Sequence, residues 1–157
     1  MNETIEKYVS GGEKLRKAIA GLSEGDLKAF PVAGTWSIQQ IVIHLMDSDG
    51  IWIMRMKRML AEDRPLMLGY DESDFAANLL CEEQSADDAV TIFDLNRRQF
   101  GRILRRLADS ALDRKGIHSE RGEINVRDSI RLMVEHLDHH LKFIHQKRAL
   151  LGKPLKD

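Results

Sequence analysis

The sequence predicts an all-α fold, a four-helix bundle with a long crossover between its second and third helices. Apolar residues recur three and four positions apart along most of the chain, which is the spacing of helices that bury one face. The three prolines, at positions 31, 65 and 154, fall outside the predicted helices. Because no repeat or Ser/Gly-rich linker interrupts the sequence, we expect residues 1–157 to form a single helical domain.

The first predicted helix covers residues 3–22, with apolar residues such as Ile5 on its inward face. Gly11 and Gly12 lie in its middle, and each weakens the helix by about 1 kcal/mol relative to alanine. Residues 23–36 form a connector that has room for one short helical turn.

The second predicted helix begins after Ser37 and continues to about residue 63. Ser37 and Gln40 have the spacing of a capping box, in which each side chain accepts a hydrogen bond from the backbone of the other. Residues 66–84 form the long crossover, with a short helix near Phe75.

The third predicted helix begins at Ser85 and runs to about residue 108. A loop covers residues 109–124. Asn125 is a suitable N-cap for the fourth helix, which we predict over residues 126–151. Four long helices in one domain are most simply packed as a bundle.

The composition excludes several classes of function. Charged residues make up 31% and hydrophobic residues 43% of the chain, and the formal net charge is −1. This balance gives no electrostatic basis for binding nucleic acid or an anionic membrane, and the apolar runs are too short to span a bilayer. Cys81 is the single cysteine and the N-terminus shows no apolar signal segment, so we expect a cytoplasmic protein.

Four of the six histidines lie close together in the predicted fourth helix. On a helical wheel, His140 leans toward the buried stripe, His136 lies at its margin and His139 faces water. The stripe consists of Ile130, Met133, Leu137, Leu141 and Ile144. Because His136 and His140 are four positions apart, they present two imidazoles on one face, close enough to share a metal ion.

His44 occupies the corresponding margin of the second predicted helix. The buried stripe of that helix consists of Ile38, Ile41, Leu45, Trp52, Met56 and Met59. His44 could therefore meet His136 and His140 at one end of the bundle, and three neutral imidazoles leave coordination positions open, as in a catalytic metal site. A histidine pair at this spacing is also common on an ordinary polar surface, and spacing alone leaves both interpretations open.

Three further residues are candidates for lining a pocket beside these histidines. Ser48 and Arg55 follow His44 along the same row of the helix, and Arg55 could bind an anionic group, although a surface position is the commoner one for a helical arginine. Tyr70, in the crossover, is either a pocket donor or a packed loop residue.

Other reactive side chains are expected to have no catalytic role. Cys81 lies in the apolar stretch "NLLC" and is expected to be a small buried residue. His118 and His145 are expected to be structural or solvated. By their positions on the helical wheel, Asp47, Glu135 and Asp138 point away from the site and are expected to be surface charges. Arg98, Arg102 and Arg105 line a solvated face of the third predicted helix, opposite Phe93, Leu104 and Leu107.

Three dipeptides accompany the second helix, namely a Trp-Ser pair at its start, a His-Leu pair two turns later and a Tyr-Asp pair after its end. They are Trp36, Ser37, His44, Leu45, Tyr70 and Asp71. Together with His136, His139 and His140 in the fourth helix, they resemble the DinB-like superfamily, especially its YfiT-type members, over about residues 30–150. Two positions depart from the family pattern: Ser119 stands where proline is common, and Asn125 where threonine is commoner.

The resemblance implies a four-helix bundle that binds one divalent metal, usually zinc or nickel, through His44, His136 and His140. It also implies a homodimer that acts on a small molecule. Some relatives are described as metal-dependent hydrolases, and others transfer or isomerise groups with a low-molecular-weight thiol such as bacillithiol or mycothiol.

Three classes of function remain open at this point. The first is an enzyme, either a metal-dependent hydrolase or a thiol-dependent transferase. The second is a dimeric ligand-binding or regulatory module with a relic metal site. The third, a structural helical dimer without a site, is disfavoured because the three histidines fall in register.

Overall fold

The computed structural model describes residues 1–155. Its α-helices are α1 (Asn2–Val9), α2 (Gly11–Ile19), α3 (Glu24–Lys28), α4 (Ile38–Ala61), α5 (Glu72–Asn78), α6 (Ala86–Leu104) and α7 (Val126–Leu150). A bundle forms from α4, α6 and α7 together with the pair α1 and α2, which packs against α6 and α7. The predicted four-helix bundle is therefore present, and no helix within residues 1–155 has both the length and the hydropathy that a membrane crossing requires.

The buried stripes predicted for α4 and α7 are confirmed, since every member of both is buried. The bounds of two other helices were predicted wrongly. The first helix is split at Ser10 into α1 and α2 and ends at Ile19 rather than at residue 22. Likewise α6 ends at Leu104 rather than at residue 108, because a tight turn in which the Arg106 N–H donates to the Ile103 carbonyl leads into a 3₁₀ helix, Asp109–Asp113.

Gly12 lets α2 pack closely against α6. A Cβ atom at this position would lie 2.7 Å from the Asp94 Cα atom and 2.6 Å from its Cβ atom. In contrast, a Cβ atom at Gly50, in the middle of α4, would have no neighbour within 4 Å. Gly12 is therefore required by close helix packing, whereas nothing in the packing around Gly50 requires a glycine.

We expect Gly12→Ala to lower the free energy of unfolding by about 1–3 kcal/mol, because α2 and α6 would have to separate. Gly50→Ala is the matched control, and it should raise the same quantity by about 0.5–1 kcal/mol through helix propensity alone. Urea denaturation of both variants measures the difference. Equal stabilisation by both substitutions would show that the helices do not approach as closely as described.

A small sheet, which was not predicted, lies beside the bundle. It consists of β1 (Leu66–Met67), β2 (Lys115–His118) and β3 (Gly122–Asn125). Strand β1 pairs with β2 in parallel, and β2 pairs with β3 as an antiparallel hairpin. The expected loop over residues 109–124 is therefore largely ordered structure.

Ser119 links the β2–β3 hairpin to the crossover by two hydrogen bonds. Its N–H donates to the Met67 carbonyl at 3.0 Å, and its hydroxyl accepts from the Gly69 N–H at 2.8 Å. A proline, which is common at this position in the family that the sequence resembles, has neither an N–H nor a hydroxyl. The serine therefore fixes residues 67–69 against the hairpin by contacts that a proline could not make.

Candidate metal centre

Three histidines from two helices converge at one site. The Nε2 atom of His136 lies 3.1 Å from that of His44 and 3.1 Å from that of His140. One ligand nitrogen from each ring can be chosen so that all three lie within 4.8 Å of one another. The predicted convergence of α4 and α7 at these residues is therefore what the structure shows, and we refer to the three as the histidine triad.

Local structure fixes the position of each triad member. Ser37 begins α4 with the predicted capping box: its hydroxyl accepts from the Gln40 N–H at 3.1 Å, and the Gln40 side chain accepts from the Ser37 N–H at 2.9 Å. The Asn125 side chain caps α7 in the same manner, accepting from the Asp128 N–H at 2.7 Å. Because both helices start at defined residues and pack against each other, the faces that carry the triad are held opposite one another.

Hydrogen bonds alone do not account for the short contacts within the triad. A neutral imidazole nitrogen carries either one N–H or one lone pair, so Nε2 of His136 can serve only one of its two neighbours well. A cation between the three atoms would accept a lone pair from each. For metal–nitrogen distances of about 2.0–2.1 Å, neighbouring ligand nitrogens lie about 3.0–3.4 Å apart, which fits the two spacings of 3.1 Å around His136.

The protonation state of the triad also favours binding of a cation. Burial, together with the charges of the neighbouring histidines, lowers the pKa of His136 to about 3 and that of His140 to about 4. Burial lowers the pKa of His44 as well, against the opposing charge of Glu72. All three imidazoles are therefore neutral near pH 7, which is the form that binds metal.

Trp36 shields one side of the triad. Its ring lies 5.0 Å from the His44 ring and stacks parallel to the His140 ring at 6.5 Å, with an angle of 8° between the planes. His139, by contrast, is exposed and touches the triad only through the edge of the His140 ring, at 5.4 Å between centroids. The prediction that His139 faces water is confirmed.

The triad forms part of the wall of a cavity of about 370 Å³, which we call the main cavity. Ser48, Arg55 and Tyr70, the predicted pocket residues, all line it. Burial raises the pKa of the Tyr70 phenol, and a contact with the Ser48 side chain opposes this shift. Tyr70 therefore stays protonated near pH 7 and is available as a hydrogen-bond donor.

Several residues of the main cavity were not predicted from the sequence. His118, expected to be structural or solvated, is 3% exposed and lines the cavity at the end of β2. Glu72 and Glu120 add two carboxylates to the lining. His118 could not be placed from periodicity, because its position depends on the pairing of short strands.

The carboxylates expected to point away from the site divide into two groups. Glu135 is exposed, and Asp138 forms a partly exposed ion pair with Lys14 at 3.1 Å. Asp47 is different, since it is half-buried and lines a small cavity that it shares with His44 and Tyr70. Its expected surface position is therefore wrong, and burial raises the pKa of its carboxyl group.

Cys81 is 4% exposed, as expected for a small packed residue. Burial raises the pKa of its thiol, which disfavours the thiolate that a nucleophile needs. Arg98, Arg102 and Arg105 form an exposed row, and Arg105 pairs with Glu6 at 2.7 Å. Neither feature provides a second reactive site.

Most of the chain matches one known protein family. The sequence profile of the DinB superfamily matches residues 8–144. The chain belongs to the DinB superfamily. The resemblance seen in the dipeptides and the histidine spacing is thereby confirmed.

The relatives of this DinB superfamily member carry related names. It is 29% identical over 143 residues to YfiT of Bacillus subtilis, named a putative metal-dependent hydrolase, with 88% of this chain and 79% of the relative covered. Proteins with the same type of name from Oceanobacillus iheyensis and Bacillus licheniformis are 25% and 27% identical, over 92% and 94% of this chain and 83% and 87% of their own lengths.

The fold is shared with a solved structure of YfiT. The two superpose with a TM-score of 0.90 at 23% identity, covering 96% of this chain and 87% of the other. That structure is described as an unusual four-helix bundle topology, which confirms the predicted fold class.

Proposed function

We propose that this protein is a divalent-metal-dependent enzyme that hydrolyses a small molecule, with His44, His136 and His140 as the metal ligands. The observation that carries the proposal is the convergence of three neutral Nε2 atoms on the wall of an open cavity. The names of the relatives support hydrolysis as the reaction.

The donor set fits a catalytic rather than a structural metal. Three protein ligands leave positions open to water and substrate, whereas structural sites are commonly closed by four. A zinc or nickel ion held there would supply Lewis acidity and would lower the pKa of water. The remaining steps fall to side chains of the main cavity.

Glu72 is the side chain that we assign as proton acceptor. Its charge acts on His44, and it lines both the main cavity and the small cavity beside the triad. Tyr70, which remains protonated, is placed to donate a hydrogen bond to a substrate oxygen. Trp36 covers the triad on one side and limits the access of water from that direction.

Metal content and turnover test this proposal together. Protein purified without chelator should contain about one divalent ion per chain. Chelation should abolish hydrolysis in a screen of small esters, amides and lactones, and added zinc or nickel should restore it. A parallel screen with a low-molecular-weight thiol separates hydrolysis from thiol transfer, which would show thiol-dependent turnover.

Two results would contradict the proposal. Protein that takes up neither zinc nor nickel would remove its basis. Full metal occupancy without turnover in either screen would instead favour the ligand-binding module that the sequence left open.

A further inference from the structure

Arg55 is a buried cation whose binding capacity is largely unused. Its side chain is 6% exposed and lines the main cavity. The guanidinium lies 4.8 Å from the centre of the Trp52 ring, and its one hydrogen bond within residues 1–155 goes to the Leu68 carbonyl. A guanidinium has five N–H donors, so most of them remain available to a partner in the cavity.

No carboxylate within residues 1–155 neutralises Arg55 by direct contact. Glu120 acts on it electrostatically but does not form an ion pair with it. Buried charges are ordinarily paired, so an uncompensated guanidinium at a cavity wall indicates a site for an external anion. Packing on Trp52 alone would explain the position of the side chain but not the unpaired charge.

His118 contributes a second donor at the same place. Its ring stacks on Trp52, with 5.8 Å between centroids and 10° between planes, and its Nδ1 accepts from the Glu120 N–H at 3.2 Å. Burial and the charge of Arg55 lower the pKa of His118, which keeps the ring neutral. A neutral ring that accepts at Nδ1 carries its proton on Nε2, so His118 also offers an N–H donor.

We propose that Arg55 and His118 form an anion subsite at the far end of the main cavity from the histidine triad, and that it binds the carboxylate of a monoanionic substrate. This inference rests on the proposed function for the claim that the bound molecule is a substrate. Both donors pack against the ring of Trp52, which fixes their positions.

The length of the substrate follows from the spacing along α4. Arg55 is eleven positions after His44, which corresponds to about 16 Å along the helix axis. Side chains in helices lean toward the N-terminus, and the arginine is the longer of the two, so the guanidinium lies on the order of 10–15 Å from the triad. The substrate is therefore a small molecule whose carboxylate and reacting group are separated by about this distance.

The charge of the cavity favours a monoanion over a dianion such as phosphate. Its charged lining consists of two arginines and two glutamates, Arg55, Arg121, Glu72 and Glu120. In the metal-free protein their formal charges cancel, so a second negative charge on the ligand would gain little and would face two carboxylates. The apolar part of the lining, which includes Trp52, Leu132 and Met133, suits a hydrocarbon or aromatic linker.

The experiment uses chelator-treated protein, so that carboxylate binding to a metal cannot contribute. Hexanoate is titrated against ¹⁵N-labelled protein and followed by NMR, with hexanamide as the neutral analogue and inorganic phosphate as the dianion. We expect hexanoate to bind most tightly and to shift the His118 ring and the Arg55 side-chain resonances. Equal binding of hexanamide, or tighter binding of phosphate, would overturn the proposal.

Substitutions of Arg55 and His118 measure how much each residue contributes to hexanoate binding. Arg55→Met should weaken hexanoate binding about ten- to hundredfold, and His118→Phe, which keeps the stack on Trp52, should weaken it several-fold. Arg55→Lys retains the cation and should have an intermediate effect, which keeps the test valid if Arg55→Met folds poorly. Unchanged affinity in Arg55→Lys and His118→Phe would refute the assignment.

Arg58→Met is the matched control. Arg58 is one turn further along α4, donates to the Leu66 carbonyl at 2.7 Å and pairs with Glu62 outside the main cavity. Its loss should leave hexanoate binding unchanged, and an equal loss of affinity would point to general electrostatics instead. Because no metal is needed, failure of this test would leave the proposed metal centre standing, and failure of metal binding would leave this subsite standing.

Discussion

Replacing His136 with alanine is expected to weaken zinc or nickel binding by more than about 100-fold, because loss of a residue that merely supports a ligand already costs about 10–100-fold. His136 is the most demanding member of the triad to remove, since its Nε2 is the atom within 3.1 Å of both others. Competition with a chromogenic chelator measures the affinity. Zinc at about 1,000 times its Kd should also raise the free energy of unfolding by about 4 kcal/mol in the unmodified protein, and the variant should lose most of that increase.

His139→Ala is the control for this experiment. It removes an imidazole three positions along the same helix that is exposed and only touches the edge of the His140 ring. Its metal affinity should stay within a few-fold of the unmodified protein. If His139→Ala lost metal as completely as His136→Ala, the triad would not be the binding site.

The triad could be predicted because helical periodicity determines which side chains share a face. His136 and His140 are four positions apart, and His44 occupies the matching margin of α4. Two helices that bury predictable stripes can pack together in only a few orientations, so the residues at the margins of the two stripes come into contact. The helix caps at Ser37 and Asn125 could be predicted for the same reason, because each depends on residues three positions apart.

The far end of the main cavity was not predictable in this way. Strands β1 and β2 have two and four residues and are separated by about fifty positions, so no local pattern specifies their pairing. His118 reaches the cavity only because β2 is held between β1 and β3. A histidine in a predicted loop therefore became a buried cavity residue through contacts that are distant in sequence.

Arg97 was missed although its position carried a signal. It lies four positions after Phe93 and three before Phe100, on the buried stripe of α6, but no role was predicted for it. Helical spacing alone predicts that this position is buried. An arginine there requires a buried partner, and that partner is on a different helix.

The partner of Arg97 is Asp49, and the pair lies at the centre of the bundle. Both side chains are 1% exposed, and the Arg97 Nε atom is 2.8 Å from Asp49 Oδ1. Arg97 also donates to the Tyr8 carbonyl at 3.2 Å and to the Met133 carbonyl at 3.0 Å. One side chain of α6 therefore joins α1, α4 and α7, including both helices that carry the triad.

Arg97→Met is expected to lower the free energy of unfolding by about 3–5 kcal/mol, because it leaves the Asp49 carboxylate buried without a counter-charge. The double variant Asp49→Leu, Arg97→Met removes both charges and should recover most of this loss, since apolar residues can replace a buried ion pair at little cost. Urea denaturation of the single and double variants gives the two values. A double variant as unstable as Arg97→Met would mean that the hydrogen bonds to the carbonyls, rather than the ion pair, stabilise the bundle.

The pH dependence of the single variant distinguishes a buried charge from a simple loss of packing. Burial already raises the pKa of Asp49 above its usual value, and Arg97 opposes that shift. Without the arginine the pKa rises further in the folded state, so the folded protein binds a proton that the unfolded chain releases. Stability should then fall as pH rises above the unfolded pKa of about 4, and the defect of Arg97→Met should shrink as the pH is lowered toward that value. A packing defect would be independent of pH over the same range, and the double variant, which has no carboxylate at this position, should show that behaviour.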